Sequence, residues 1–403
     1  MKKNIKQLLA LLLAGLMLIT LAACGDKEDP AGPDPSTDSQ APDSGSDETD
    51  PSDTGNGEGE GEGEGEQQTS NMTAKKLYAG RAGVKILGVR NLADEDRIYL
   101  DWPGSGIEIA LNNKGSRIVF TVNGSGAFRV WVDGTAWKNT EGSEIFTTDS
   151  GPRIMLEGVS AGDHVIRIVK INDYDQRADI PNVVFDGALL ENTPADRDYY
   201  VEFIGDESML DVKDTEEKAA KLGEEDNTAM LPYLAAMALN ADYSILARKG
   251  TGLVAGSRNA TSDYLYTSKS VDETELYDFA RKPDAIVVNL GGADETTDTD
   301  AFLSAYMDMI FTLREKNGDG CKIYCVYTAD NAFRDVIVNV CDSLGGDAAG
   351  LYAVELSGET QQAMADTLVA KINETKDAAI TERPKRAGHG TVVDWSEGVA
   401  QNG

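Results

Sequence analysis

The sequence predicts two folded domains in series, a β-sandwich and then an α/β domain whose parallel sheet is covered by helices on both faces. Between about residues 75 and 190, short runs of alternating apolar and polar residues recur at close spacing, separated by turn residues and without helical period. From about 197, apolar strand-like runs alternate with stretches of helical period. A chain of 403 residues with 41% apolar content can bury cores for two or three domains.

The sandwich is expected over 75–192. Its strand signals include 107–111 (Ile-Glu-Ile-Ala-Leu), 117–122, 128–132 and 164–169, with turns at Asn123-Gly124, Asp133-Gly134 and 161–163. The α/β domain is expected over 197–376. Val201–Ile204 reads as its first strand, and Thr228–Ala241 as a helix with Met230, Leu234, Met237 and Ala241 on one face. Ala285–Leu290, Ile323–Tyr327 and Leu351–Leu356 read as buried strands. Phe302, Tyr306, Met309, Ile310 and Leu313 form a helix stripe, Phe333, Ile337, Val340, Cys341 and Leu344 another, and Gln361–Ile372 is the last helix. In such sheets ligands sit beyond the carboxyl ends of the strands, which directs attention to the loops at 205–209, 248–256, 291–296 and 328–331.

Before the folded part, Lys2 and Lys3 precede an apolar run from Leu8 to Ala23. This run is short for a membrane span and suits a signal peptide over 1–24. It ends Leu21-Ala22-Ala23-Cys24, which resembles a bacterial lipobox. The resemblance implies a diacylated Cys24 at the mature N-terminus, anchored in a lipid bilayer and extracytoplasmic. Residues 25–74 form an acidic Gly/Ser/Asp/Glu linker with fifteen acids against one lysine up to residue 70, expected to be a disordered tether. Residues 377–403 are a tail.

The net charge of −32 argues against nucleic-acid partners. Two histidines and four cysteines leave no dense metal or disulfide framework, so no metal and no cofactor is expected. Cys321, Cys325 and Cys341 lie at apolar positions and read as buried thiols, with one disulfide plus one thiol as the alternative. Trp131 follows the inward alternation of its strand. Trp102 and Trp137, flanked by turn residues, are the better candidates for stacking on sugars. Glu295, Asp298 and Asp300 form an acidic loop, taken as solvated rather than as a calcium site.

Three loop segments and four segments of the β-domain carry a resemblance. Gly205-Asp206-Glu207-Ser208 after a strand, Gly250-Thr251-Gly252, and Gly291-Gly292-Ala293-Asp294 resemble the first three blocks of SGNH hydrolases, in order. Residues 84–88, 105–108, 132–134 and 162–170 resemble the N-terminal jelly-roll module of carbohydrate esterase family two. The likeness spans about 80–375. It implies a jelly roll followed by a flavodoxin-like SGNH-hydrolase domain, in a secreted O-acetyl esterase acting on plant-type polysaccharides. It also implies a serine nucleophile, a histidine base, and an oxyanion site of backbone amides and an asparagine. By that resemblance Ser208 and His389 are the catalytic candidates, and Gly205, Asp206, Gly250, Gly292 and Asp294 the oxyanion and substrate-binding ones.

Three departures stand against full activity. Glu207 occupies the nucleophile's register position, with Ser208 one residue later. Ala293 replaces the asparagine. The strand at 351–356 runs straight into Ser357-Gly358-Glu359, without the histidine that precedes the family's last helix. His164 lies in the sandwich and His389 in the tail. The expectation is therefore a surface lipoprotein of esterase type, catalytically impaired, binding polysaccharide or a partner. An active serine-dependent deacetylase and a structural envelope lipoprotein are the alternatives. The oligomeric state is not legible.

Overall fold

The computed structural model describes residues 71–383, apart from 89, 91–97, 174–176, 214–219 and 267–275. Cys24, His389 and Trp395 lie outside the described residues, as do the signal segment and most of the linker and tail. All described residues belong to one compact unit.

The N-terminal half is built from β1 (Thr73–Lys76), β2 (Val84–Leu87), β3 (Tyr99–Leu100), β4 (Gly106–Gly124), β5 (Ala127–Val132), β6 (Thr135–Ala136), β7 (Ile145–Thr147), β8 (Arg153–Glu157), β9 (Gly162–Lys170) and β10 (Ala178–Leu189). They pair antiparallel in the order β1-β10-β4-β9-β5-β6, with β2 and β8 also on β4, β3 on β10 and β7 on β5. β4 serves two sets of neighbours. Its first half pairs with β2 and β9, and its second half with β8 and β10. β10 follows both halves through a register shift between Phe185 and Gly187. Glycine is required there, because a Cβ at Gly187 would lie 2.0 Å from the Asn112 carbonyl oxygen at a φ of +140°. Alternate residues such as Ile107, Ile109, Leu111, Phe128, Val130, Ile166 and Ile168 fill the core.

The C-terminal half contains β11 (Tyr200–Gly205), β12 (Asp242–Ala247), β13 (Thr251–Gly252), β14 (Arg258–Asn259), β15 (Ala285–Asn289), β16 (Lys322–Tyr327) and β17 (Leu351–Glu355). Its helices are α1 (Leu231–Ala238), α2 (Ala260–Asp263), α3 (Thr299–Asn317), α4 (Arg334–Ser343) and α5 (Gln361–Thr375). The parallel sheet runs β12-β11-β15-β16-β17. The order reverses between β11 and β15, so the topological switch point falls between those two strands. Alternation along them separates two cores. Val201, Phe203, Ala285 and Val287 face α1 and α5, while Ile204, Ile286 and Val288 face α3 and α4. The helix predicted from Thr228 starts later. Asp226 caps a single 3-10 turn over Asn227–Ala229, and α1 begins at Leu231 with Pro232 in its first turn, where a missing N–H costs no helical bond.

Polar contacts tie the halves together. Lys85 Nζ on β2 meets Asp242 Oδ1 on β12 at 2.8 Å, and Arg129 Nε on β5 meets Asp226 Oδ2 at 2.8 Å. Arg90, 1% exposed, donates to Glu202 of β11 at 2.8 and 3.3 Å. Its guanidinium lies 4.2, 4.3 and 4.9 Å from the ring centroids of Tyr264, Tyr277 and Phe279. Glu202 also accepts from the hydroxyls of Tyr200 and Tyr264, at 2.8 and 3.0 Å.

Candidate active site

β11 is buried along its length and ends at Gly205. A Cβ there would lie 2.6 Å from Met209 Sδ and 3.0 Å from the Asn289 carbonyl oxygen, so a larger residue would have to displace the Met209 side chain. Asp206 caps the one-turn 3-10 helix Glu207–Met209: its Oδ1 accepts from the Ser208 amide at 2.9 Å. Its Oδ2 accepts from the Gly292 amide at 3.1 Å, binding the first loop to the third. Burial pushes the Asp206 carboxyl above the ordinary carboxylate value, and hydrogen bonds from Ser208 and Gly292 oppose that shift.

Ser208 is exposed, and its Oγ accepts from Asn289 Nδ2 at 3.0 Å. Asn289 is the last residue of β15 and stands opposite Gly205 in the parallel register. Glu207 turns the other way. Its Oε2 accepts from the Gly250 amide at 2.9 Å. That amide is therefore already bonded to a carboxylate.

These loops border a cleft of about 250 Å³ at the carboxyl ends of the sheet. Ser208, Asp206, Gly292 and Asn289 line it from β11 and β15, Thr328, Asp330 and Asn331 from the loop after β16, and Gln361 from the start of α5. Gly291, with a φ of +124°, brings its backbone against Asn331, whose side-chain atoms would be 3.3–3.4 Å from a Cβ. Gln361 Oε1 accepts from the Leu231 amide at 3.0 Å and so fixes the start of α1 at the rim.

Of the predicted residues, Asp206, Ser208 and Gly292 meet in the cleft, with Gly205 at the turn that leads into it. Gly250 and Asp294 are not among its lining residues. Asp294 is fully buried and accepts from the amides of Leu253, Val254 and Ala255 at 2.9, 2.8 and 2.7 Å, so its oxygens are spent on bracing the second loop. His164 does not line the cleft: on β9, its Nδ1 meets Asp133 Oδ2 at 2.7 Å and its Nε2 the Ser160 carbonyl at 3.0 Å. Asp298 caps α3, accepting from the amides of Asp300 and Ala301. Cys321, Cys325 and Cys341 are buried free thiols. The tryptophan expectations need correcting. Trp102 is 5% exposed and packs in the core, whereas Trp131 is half-buried and faces α1. Asn289, Asn331 and Gln361 were missed. The one available signal was an amide side chain closing an otherwise apolar strand at Asn289.

The fold is that of an antiparallel β-domain followed by an α/β domain with a five-stranded parallel sheet. No protein-family model matches the sequence, and no curated protein matches it. Among solved structures, the chain resembles a family two carbohydrate esterase from Clostridium thermocellum in complex with cellohexaose. The identity is 23%, the coverage 72% of this chain and 98% of that one, and the TM-score 0.62. A family two carbohydrate esterase from Cellvibrio japonicus gives 16% identity, 76% and 99% coverage and a TM-score of 0.63. An acetyl xylan esterase from the rumen bacterium Butyrivibrio proteoclasticus gives 18% identity, 75% and 98% coverage and a TM-score of 0.60. The shared property at this identity is the fold.

Proposed function

We propose that this chain is an extracytoplasmic lipoprotein of the carbohydrate O-acetyl esterase kind, anchored through Cys24, whose cleft binds polysaccharide and whose hydrolytic machinery is impaired. The observation that carries the impairment is the Glu207 carboxylate on the Gly250 amide. By the family resemblance that amide is an oxyanion donor, so the carboxylate would place negative charge where the reaction develops it, and one such donor is worth ~10²–10³ in rate. The cleft lining of amides, hydroxyls and carboxylates suits a neutral, hydroxyl-rich ligand, and the C. thermocellum esterase of the same fold is a cellohexaose complex. In this reading the β-domain is a jelly roll, residues 1–24 are the signal and the chain from there to β1 is the tether, which ends before Thr73 rather than at 74 because Thr73 and Ala74 pair with β10.

The chain from residue 71 onward is assayed on 4-nitrophenyl acetate and acetylated xylan beside Ser208→Ala, with cello- and xylo-oligosaccharides titrated by calorimetry. The expected result is oligosaccharide binding without Ser208-dependent turnover. Loss of serine and histidine function together removes ~10⁶ of rate. Hydrolysis abolished by Ser208→Ala overturns the impairment and makes His389 the base to test. Neither binding nor turnover leaves the structural-lipoprotein alternative. Incorporation of labelled palmitate, lost in Cys24→Ser, tests the anchor.

A further inference from the structure

We propose a second sugar subsite at the seam between α1 and the outer face of the β-domain, taking one neutral pyranose ring. The seam holds a groove of about 280 Å³ lined by Trp131, Tyr233, Glu108, Arg167, Val165 and Met237. That is the size of a small-ligand site, at the domain junction where such sites concentrate. On β5, Val130 and Val132 point into the β core and Trp131 points out to the seam. Its ring stacks on Tyr233 with centroids 6.3 Å apart and planes 21° from parallel. An aromatic wall of this kind receives the C–H face of a sugar ring.

The polar groups beside it have bonding capacity to spare. Glu108 is 6% exposed, and among the described residues every hydrogen bond to it lands on Oε1, from Arg167 Nε at 2.7 Å, Arg167 Nη2, and Arg197 Nη2 at 3.5 Å. Oε2 takes none of them, which leaves it as an acceptor for a ligand hydroxyl. Arg167 Nη1 points at Met237 Sδ, 3.2 Å away, a weak acceptor. An unfilled acceptor and an underused donor therefore flank one aromatic face, as adjacent hydroxyls of a pyranose require. The ion pair cancels its own charge, which selects a neutral ligand. Val165, 42% exposed, leaves the rim open.

This deepens the polysaccharide reading of the cleft, because α1 borders both sites: Leu231 lines the cleft, and Tyr233 and Met237 line the groove. Cellohexaose and xylohexaose are titrated calorimetrically into the chain and into Val165→Trp, Trp131→Ala and Ala332→Trp. Val165→Trp fills the groove from its exposed rim, and Ala332→Trp fills the cleft from its own. About tenfold weaker binding is expected in Val165→Trp and Trp131→Ala, with the groove's share retained in Ala332→Trp. If Trp131→Ala does not fold, Val165→Trp alone decides. Wild-type affinity in Val165→Trp, or no binding by any of the four proteins, overturns the groove. Binding lost only in Ala332→Trp also overturns it and leaves the cleft reading standing. Binding lost only in the groove variants upholds the groove and removes the cleft as the polysaccharide site.

Discussion

Asp294→Ala separates a brace from a ligand contact. The carboxylate is fully buried and accepts three amide hydrogen bonds, from Leu253, Val254 and Ala255. Leu253 is 4% exposed, so its amide loses its partner without gaining water, which costs ~1–3 kcal/mol. Val254 is 48% exposed and Ala255 half-buried, so their amides rehydrate in part, at ~0.5–1.5 kcal/mol each. The sum is about 4 kcal/mol, and Asp294→Asn, which keeps one acceptor oxygen, loses about half of that. Urea denaturation of the three proteins reads the loss as a lower midpoint at unchanged slope. If Asp294→Ala unfolds with the wild type and loses oligosaccharide binding instead, the carboxylate contacts ligand and its assignment as a brace is wrong.

Arg90→Met strands the buried Glu202 carboxylate and is expected to cost ~3–5 kcal/mol in urea titration, while Arg90→Met/Glu202→Leu recovers most of it. Glu207→Ala, at an exposed position, changes stability by ~1 kcal/mol or less. It exposes the Gly250 amide, which hydrogen exchange followed by NMR then shows as lost protection. Burial disfavours the His164 imidazolium, but the Asp133 carboxylate and the Ser160 carbonyl raise its pKa above 6.5. The stability it adds is complete below pH 6.5 and disappears as pH rises through the folded value. Asp133 is opposed by burial and lowered below 3.8 by His164, so its share is present above pH 3.8 and is lost on acidification through the folded value. Thermal melts that fall with rising pH above 6.5 in the wild type should flatten in that range in His164→Gln.

Much of the fold was legible because burial imposes period. The helix stripe at Phe302–Leu313 lies inside α3, and the stripe at Phe333–Leu344 and the apolar runs at Ala285–Leu290 and Ile323–Tyr327 became α4, β15 and β16 within a residue. The loops at the strands' carboxyl ends followed from topology, and three of the four selected stretches border the cleft. Trp131 failed on parity. Its strand lies between two apolar environments, the β core and the α1 seam, so both faces carry apolar residues and alternation alone does not say which one holds the indole.

Gly250 and Asp294 fall outside the cleft lining for a different reason, and it is a general one. Residue type states what a group can bond, and only the fold states what it already bonds. Gly250 has an amide of the right kind, Asp294 a carboxylate of the right kind, and each is consumed by a partner some forty residues away in sequence, Glu207 in one case and the 253–255 amides in the other. The single-residue displacement of the serine has the same character. Glu207 turns toward the glycine loop and Ser208 toward Asn289, so the hydroxyl stays in the cleft while the Gly250 amide is taken by a carboxylate. On the impairment proposed above, restoring hydrolysis requires more than a base: Glu207 would have to leave the Gly250 amide first, since a histidine that deprotonates Ser208 would still deliver the developing charge onto an occupied donor.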